Sequence, residues 1–315
     1  MSRYLYRRLS HYFIKISTLL LVLYIHSGYS EEIKGYFNNI ESPLLSGNEQ
    51  LKAGDINRFI FSDWAGPKIP VWVFLPKGVD MKKAPILIMM HGAKRGAHRY
   101  LKEWQPLAQN KGVIVIAPEF SKADFPSSKH YNLGYVFAND HALRKEEKWT
   151  FSSIESIFDT VVLAIKSKQT HYTIYGHSAG SQFVHRYLYY KPNARVKRYI
   201  AANAGWYTLP SLNEIYPYGL KNSGVSKEHL KTALSKDVVV LLGDQDTDIH
   251  HESLRRTPQA MRQGAQRFAR GLSFYEEGLK QAKILGSDFG WKKRIVKGVA
   301  HSNGRMAKGA IDLVE

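Results

Sequence analysis

Apolar positions along the 315-residue chain fall into two kinds of run. The first kind is short and unbroken. Pro85 to Met90, Gly112 to Pro118, Tyr172 to Tyr175 and Val238 to Leu242 carry little or no polar alternation. Runs of that length and composition read as strands buried on both faces. Val196 to Ala202, with Lys197 and Arg198 near its start, reads as another strand, and Arg294 to Val299 reads as the last strand. The second kind repeats every three or four residues, as one face of a helix does. Leu101, Trp104, Leu107 and Ala108 predict a helix over 99–110, and Phe183, Val184, Tyr187 and Leu188 predict one after residue 180. Ile154, Ile157, Phe158, Val161 and Ile165 predict another, opened by Ser152 with Glu155 in a capping box. One or two helices fit 257–283, and a closing helix runs toward Val314. Ahead of these, Arg58 to Ser62 and Val71 to Leu75 flank the turn Asp63-Trp64-Ala65-Gly66-Pro67 and predict an antiparallel pair.

Eight strands result, the last six alternating with helices. That alternation predicts an α/β domain over 56–315, a mostly parallel sheet with helices on both faces. Chemistry in such sheets collects at the carboxyl ends of the strands. Residues 121–150 and 207–231 show no period. A loop as long as the first reads as a lid or a binding loop. Tyr131, Asn132, Tyr135, Phe137 and Trp149 are available in it to line a pocket.

The amino terminus differs from the rest. Arg3, Arg7, Arg8 and Lys15 precede or enter a short apolar run, Ile16 to Ile25, which is followed by Gly28-Tyr29-Ser30. Basic, apolar and small-x-small segments in that order predict a signal peptide over 1–30, cleaved after Ser30. The apolar run is shorter than a membrane-spanning helix requires. An uncleaved membrane anchor is the alternative. Residues 31–55 are polar, with Pro43, Gly47 and Gly54, and read as a lead-in segment. The expected location is therefore exported, periplasmic or secreted.

Composition adds two constraints. The net charge is +18, and the four cations named above leave +14 on the remainder. Such a charge favours an anionic surface, polymer or substrate, or else marks a solvated basic exterior. It comes with no nucleic-acid-binding motif. The chain has no cysteine, which excludes a disulfide, a thiolate nucleophile and a Cys-zinc site.

Candidate chemistry starts at Gly176-His177-Ser178-Ala179-Gly180, a G-x-S-x-G between a predicted strand and a predicted helix. That context is the nucleophile elbow, in which a sharp turn presents the serine at the end of the sheet. A side chain at Gly176 or Gly180 would collide with the neighbouring strand and helix. Three further strand ends carry polar groups: His91-Gly92-Ala93, the run Asp244 to Asp248, and His301. Serine needs a base to take its proton as it attacks, and His301 after the final strand is placed to supply one. Asp244, Asp246 and Asp248 imitate an EF-hand loop, but Ile249 and Arg255 occupy the positions that need Gly and Glu. His250 and His251 read as surface residues, His177 as a structural part of the elbow, and Arg255-Arg256 as a solvated pair or an orienter of an anionic substrate. No metal and no cofactor are expected.

On these residues the chain resembles the α/β-hydrolase family over about 56–315. The order Ser, Asp, His matches that family and differs from chymotrypsin and subtilisin. The tail Gly298-Val299-Ala300-His301 and the short His91-Gly92-Ala93 are similar to secreted esterases of the polyhydroxyalkanoate-depolymerase and feruloyl-esterase type. Those relatives commonly carry disulfides, which this chain lacks. The resemblance implies a fold of eight strands and acyl-transfer hydrolysis. Ser178 is then the nucleophile and His301 the base. Asp246 stands at the family's spacing from Gly243 and is the first candidate for the acid, with Asp248 and Asp244 as alternatives. The backbone N–H groups of Ala179 and Ala93, or of Lys94 in place of Ala93, would hold the oxyanion. Trp206 and Tyr131 are candidate substrate-binding residues.

The expected function is therefore a serine hydrolase that cleaves a carboxylic ester, in a small molecule or a polymer, through an acyl-enzyme. A serine peptidase or amidase on the same fold is the nearest alternative. The rival from another class is a non-catalytic binding protein on a hydrolase scaffold. Such proteins generally lose the serine, the histidine or the acid, and all three are present here.

Overall fold

The computed structural model of the chain describes residues 51–315. The signal-peptide expectation, and most of the lead-in, lie outside those residues.

One sheet organises the described chain. Its strands are β1 (Ile56–Phe61), β2 (Ile69–Phe74), β3 (Ile86–Met90), β4 (Ile114–Pro118), β5 (Tyr172–His177), β6 (Val196–Ala202), β7 (Val238–Gly243) and β8 (Trp291–Val296). They lie in the order β1-β2-β4-β3-β5-β6-β7-β8. β1 pairs with β2 and β2 with β4 antiparallel; every pair from β4 to β8 is parallel. The helices are α1 (Ala97–Lys111), α2 (Ser153–Ala164), α3 (Ala179–Tyr190), α4 (Lys227–Ser235), α5 (Pro258–Gln263), α6 (Arg267–Leu285) and α7 (Asn303–Ala310).

The unbroken apolar runs became central strands because both faces are covered. Leu87 and Met89 of β3, Val115 and Ala117 of β4, and Tyr175 of β5 share one face with Trp104 of α1 and Met306 of α7. Alternate residues Ile86, Ile88 and Met90 are equally buried and face the other way. α3, which is buried along its whole length, packs against β5 and β6.

Three expectations need correction. Ser152 does not cap α2. It closes a 3₁₀ turn, Thr150–Ser152, with helical backbone angles, and its Oγ donates to the carbonyl of Glu146. A cap residue must hold an extended backbone to turn its oxygen onto the first helical N–H groups. Glu155, the other half of the expected box, accepts from the Tyr172 hydroxyl and from Arg195 Nε at 2.6 Å. Residues 207–231 were read as loop, yet α4 begins within them at Lys227, capped by Ser226 Oγ accepting from His229 N–H at 3.1 Å. The last strand starts three residues earlier than 294. Lys292, Lys293 and Arg294 lie exposed on the outermost strand, so their polarity hid it, while Trp291 anchors its start through Nε1–H to the Ala233 carbonyl. The long 121–150 segment is pinned where it begins. Buried Arg95 donates to the carbonyls of Phe120, Phe125 and Ser127, and its guanidinium lies 4.4 Å over the Tyr131 ring.

Three histidines are buried in this framework: His91, His177 and His185. His91 Nε2 accepts from Phe120 N–H at 3.0 Å, and His185 Nε2 accepts from Thr208 N–H at 3.0 Å. Both rings are therefore neutral. Burial pushes the His91 pKa down to about 3, helped by Arg95, and pushes His177 and His185 well below the ordinary value. An unfolded chain protonates the same residues near pH 6.5, so below that pH it binds protons the folded chain refuses. Stability should be full above about pH 7 and fall as the pH drops from 6.5 toward 5, before most carboxylates titrate. Each of the three costs about 1.4 kcal/mol per pH unit in that window. Urea unfolding at pH 7.5, 6 and 5 measures the slope, and His91→Gln, which keeps an acceptor for Phe120 N–H, should reduce it by about a third. A flat profile between pH 7.5 and 5 would contradict the assignment.

Candidate active site

The turn after β5 is as tight as its glycines allow. Ser178 holds φ 60° and ψ −117°, a region that L residues rarely adopt. A Cβ on Gly180 would lie 2.1 Å from the carbonyl oxygen of Met90, and one on Gly176 would lie 2.2 Å from the backbone of Gly180. The expected collisions are real ones, and glycine is required at both places. The result sets Ser178 at the N-terminus of α3, where Ala179 is the first helical residue.

Two loops come to meet it. One follows β7. Gly243 can approach the other loop only without a side chain, since its Cβ would lie 2.3 Å from the Val299 carbonyl oxygen. Gln245 N–H donates to that carbonyl at 3.0 Å, and Gly298 N–H donates to Asp244 Oδ1 at 2.7 Å. The loop after β8 is thereby tied to the loop after β7. Asn203, at φ 47°, joins both to β6. Its Oδ1 accepts from Gly243 N–H at 2.9 Å and its Nδ2 reaches the Ala300 carbonyl at 3.4 Å.

These ties bring three side chains into line. His301 Nε2 lies 3.1 Å from Ser178 Oγ, and His301 Nδ1 lies 2.6 Å from Asp246 Oδ2. Asp246 is buried and His301 half-buried. Of the three acids considered, Asp246 alone reaches His301. Asp244 is spent on Gly298, and Asp248 is exposed and accepts from His250 N–H. Just past His301, Asn303 accepts from the Tyr175 hydroxyl at 3.0 Å and donates to Glu103 at 2.6 Å. The loop that carries His301 is thus also fastened to α1.

Ser178 opens into a cleft of about 330 Å³. Ala179 and Ala93 both line it, and Lys94 does not. Trp206 and Tyr131 line it as well. Tyr131 is buried, with its hydroxyl donating to the His91 carbonyl at 2.7 Å, so it offers a ring and no polar end. Two guanidinium groups lie over the Trp206 ring, Arg186 at 4.3 Å and Arg255 at 4.8 Å from its centre. Asn132 reaches the cleft too, whereas Phe137 lines a separate pocket. The cleft is basic: Arg95, Lys122, Arg255 and Arg267 border it, and no described Asp or Glu does.

Two neighbours of the site, His251 and Arg267, are not announced by the sequence, and His177 of the elbow joins them. His251, taken for a surface residue, has its ring 5.6 Å from that of His301. The His177 ring lies closer, tilted against that of His301 at 4.5 Å. Arg267, fully buried, touches Asp246 at 3.4 Å. A cation in the first turn of a helix opposes the helix dipole, and that anomaly was the available signal for Arg267. No group of His, Asp and Glu that could hold a metal ion occurs among the described residues.

Solved structures place the chain among known proteins. A poly(aspartic acid) hydrolase from Sphingomonas sp. KT-1 is 45% identical, with 84% of this chain and 99% of that one aligned and a TM-score of 0.82. A poly(3-hydroxybutyrate) depolymerase from Bordetella parapertussis is 32% identical over 83% of this chain and 90% of that one, with a TM-score of 0.78. An S-formylglutathione hydrolase from Agrobacterium tumefaciens, 16% identical over 84% of this chain and 96% of that one with a TM-score of 0.55, shares the fold. No protein-family model and no curated protein matches the chain. With this sheet and these two likenesses in sequence and structure, the chain belongs to the α/β-hydrolase superfamily, as a hydrolase of ester or amide bonds.

Proposed function

We propose that the protein is a serine hydrolase working through an acyl-enzyme, and that its substrate is an anionic polymer. The observation that carries the reading is the unbroken line Ser178–His301–Asp246. His301 takes the proton of Ser178 Oγ as that oxygen attacks the carbonyl carbon. Asp246 holds the ring in the tautomer with Nδ1–H toward itself, which leaves Nε2 free to accept. The backbone N–H groups of Ala179 and Ala93 are the oxyanion donors. They stabilise charge where it develops, which is usually the largest single contribution. His301 then returns the proton to the leaving group, and water repeats the cycle on the acyl-enzyme.

The substrate reading rests on charge. A cleft with four bordering cations and no described carboxylate repels cationic chains and concentrates anionic ones. The 45% identical relative is named for poly(aspartic acid), an amide-linked polyanion. That favours amide cleavage in such a polymer. Ester cleavage is the second reading, favoured by the 32% identical depolymerase.

One set of measurements tests both. A fluorophosphonate probe should label the wild type and spare Ser178→Ala. Asp246→Asn should remain folded and lose about 10³- to 10⁴-fold in kcat, because the other tautomer is then preferred, while Asp248→Asn should lose little. Incubated with poly(aspartic acid), the wild type should shorten the chains on gel permeation, less so as salt screens the cleft. Shortening of poly(3-hydroxybutyrate) alone would select the ester reading. Equal labelling of Ser178→Ala would sink the mechanism.

We also infer export, from the basic-apolar-small order of residues 1–30. Among the described residues no helix is long and apolar enough to cross a membrane. Intact mass of the natively produced protein should correspond to a chain beginning near Glu31, and a soluble product retaining Met1 to Ser30 would overturn the inference.

A further inference from the structure

We propose that Arg267 is a positioning residue that sets the pH range over which Ser178 is reactive, acting through Asp246. The inference rests on the triad reading above. Arg267 is the first residue of α6 and is 1% exposed. A guanidinium there is doubly disfavoured, by lost hydration and by the positive end of the helix. The side chain nonetheless has a fixed place. Its Nη1 lies 3.4 Å from Asp246 Oδ1, the oxygen that His301 does not use. Its Nη2 donates to Ser253 Oγ at 3.0 Å and to His251 Nδ1 at 3.2 Å. The next residue, Phe268, donates its N–H to the Asp246 carbonyl at 3.2 Å. Backbone and side chain of the α6 N-terminus therefore both grip Asp246.

The carboxylate is consequently shared. One oxygen faces the imidazole, the other the guanidinium. When His301 gains a proton, two cations lean on one carboxylate, and Arg267 opposes the second charge. The same opposition applies whether the proton comes from Ser178 or from the solvent. Solvent protons at mildly acid pH are what silence the base, so Arg267 extends reactivity toward acid.

The other groups facing His301 do not supply this effect. His177 belongs to the elbow and is pushed by burial, then by His301 and Arg267, well below the ordinary histidine range. His251 is pushed down by burial and by Arg267, and its Nδ1 already accepts from that residue. Ser178 is uncharged. Glu103 reaches the loop only through Asn303, where it is paired with Arg99. Asp248 lies exposed beyond His251. Among the described residues, Arg267 is the one fixed cation in contact with the acid.

The test is the rate of fluorophosphonate labelling of Ser178 between pH 4.5 and 9, which needs no knowledge of the substrate. In Arg267→Met and Arg267→Gln the midpoint of the acid limb should rise by about 0.5 to 1 pH unit, as expected on removing a nearby like charge. Labelling at pH 5.5 should fall by about 3- to 10-fold relative to each variant's own plateau. Arg267→Lys should return the midpoint toward that of the wild type. A folded neutral variant with a lower plateau and an unmoved midpoint would make Arg267 a packing residue and overturn the proposal. So would failure of both neutral variants to fold beside a folded Arg267→Lys of unmoved midpoint. Absence of labelling in the wild type itself, or its persistence in Ser178→Ala, would instead defeat the triad reading.

Discussion

The site depends on a steric constraint: β3 and α3 approach each other more closely than any side chain at Gly180 permits. The Met90 carbonyl occupies the place a Cβ would need. That contact forces the chain to leave β5 and enter α3 in a single residue, and Ser178 absorbs the whole change of direction at φ 60°. Strain of order 1–3 kcal/mol persists at such a residue only when the surroundings over-determine it. Here they do, since β5 is paired on both sides and α3 is buried end to end. The fold stabilises a conformation that the serine would not adopt alone, and the position of its oxygen follows.

Much of this was legible in the chain. Unbroken apolar runs mark central strands because helices cover both faces, and the run from Pro85 to Met90 shows the logic at its simplest. The elbow is readable because it combines a forced glycine pair with a change from an unbroken apolar run to a helical period. The Asp246 and His301 ends were readable because the final strands precede them. What escaped reading escaped for physical reasons. β8 is an edge strand with Lys292, Lys293 and Arg294 exposed in succession, so no apolar run marks its start. Ser152 and Glu155 have the residues of a capping box, but Arg195 and Tyr172 compete for the glutamate, and tertiary partners outweigh a local motif. Arg267 and His251 are close to His301 only through folding. No local pattern announces a contact between residues that the sheet brings together.

The cleft joins two kinds of electrostatics that act at different ranges. Lys122 and Arg255 stand at its exposed border and act on whatever diffuses near, under the screening of salt. Arg267 is enclosed, and its effect on the neighbouring carboxylate is screened far less. On the proposed function, a change of ionic strength therefore touches substrate capture more than the chemistry of Ser178. The aromatic rings add shape. Trp206, with the Arg186 and Arg255 guanidinium groups over its ring, forms one wall, and Tyr131 forms a floor whose hydroxyl is already committed.

Asn203 carries a further implication. It sits on neither the acid loop nor the base loop, yet it holds Gly243 on one and Ala300 on the other. Asp246 and His301 are 55 residues apart in the chain and belong to the last two strands at one edge of the sheet. An edge of a sheet flexes more than its centre. With a common anchor, that flexing carries donor and acceptor along together, as two passengers on one vehicle. Their separation then fluctuates less than either position does, and the hydrogen bond between them survives motions that would separate independently mounted loops.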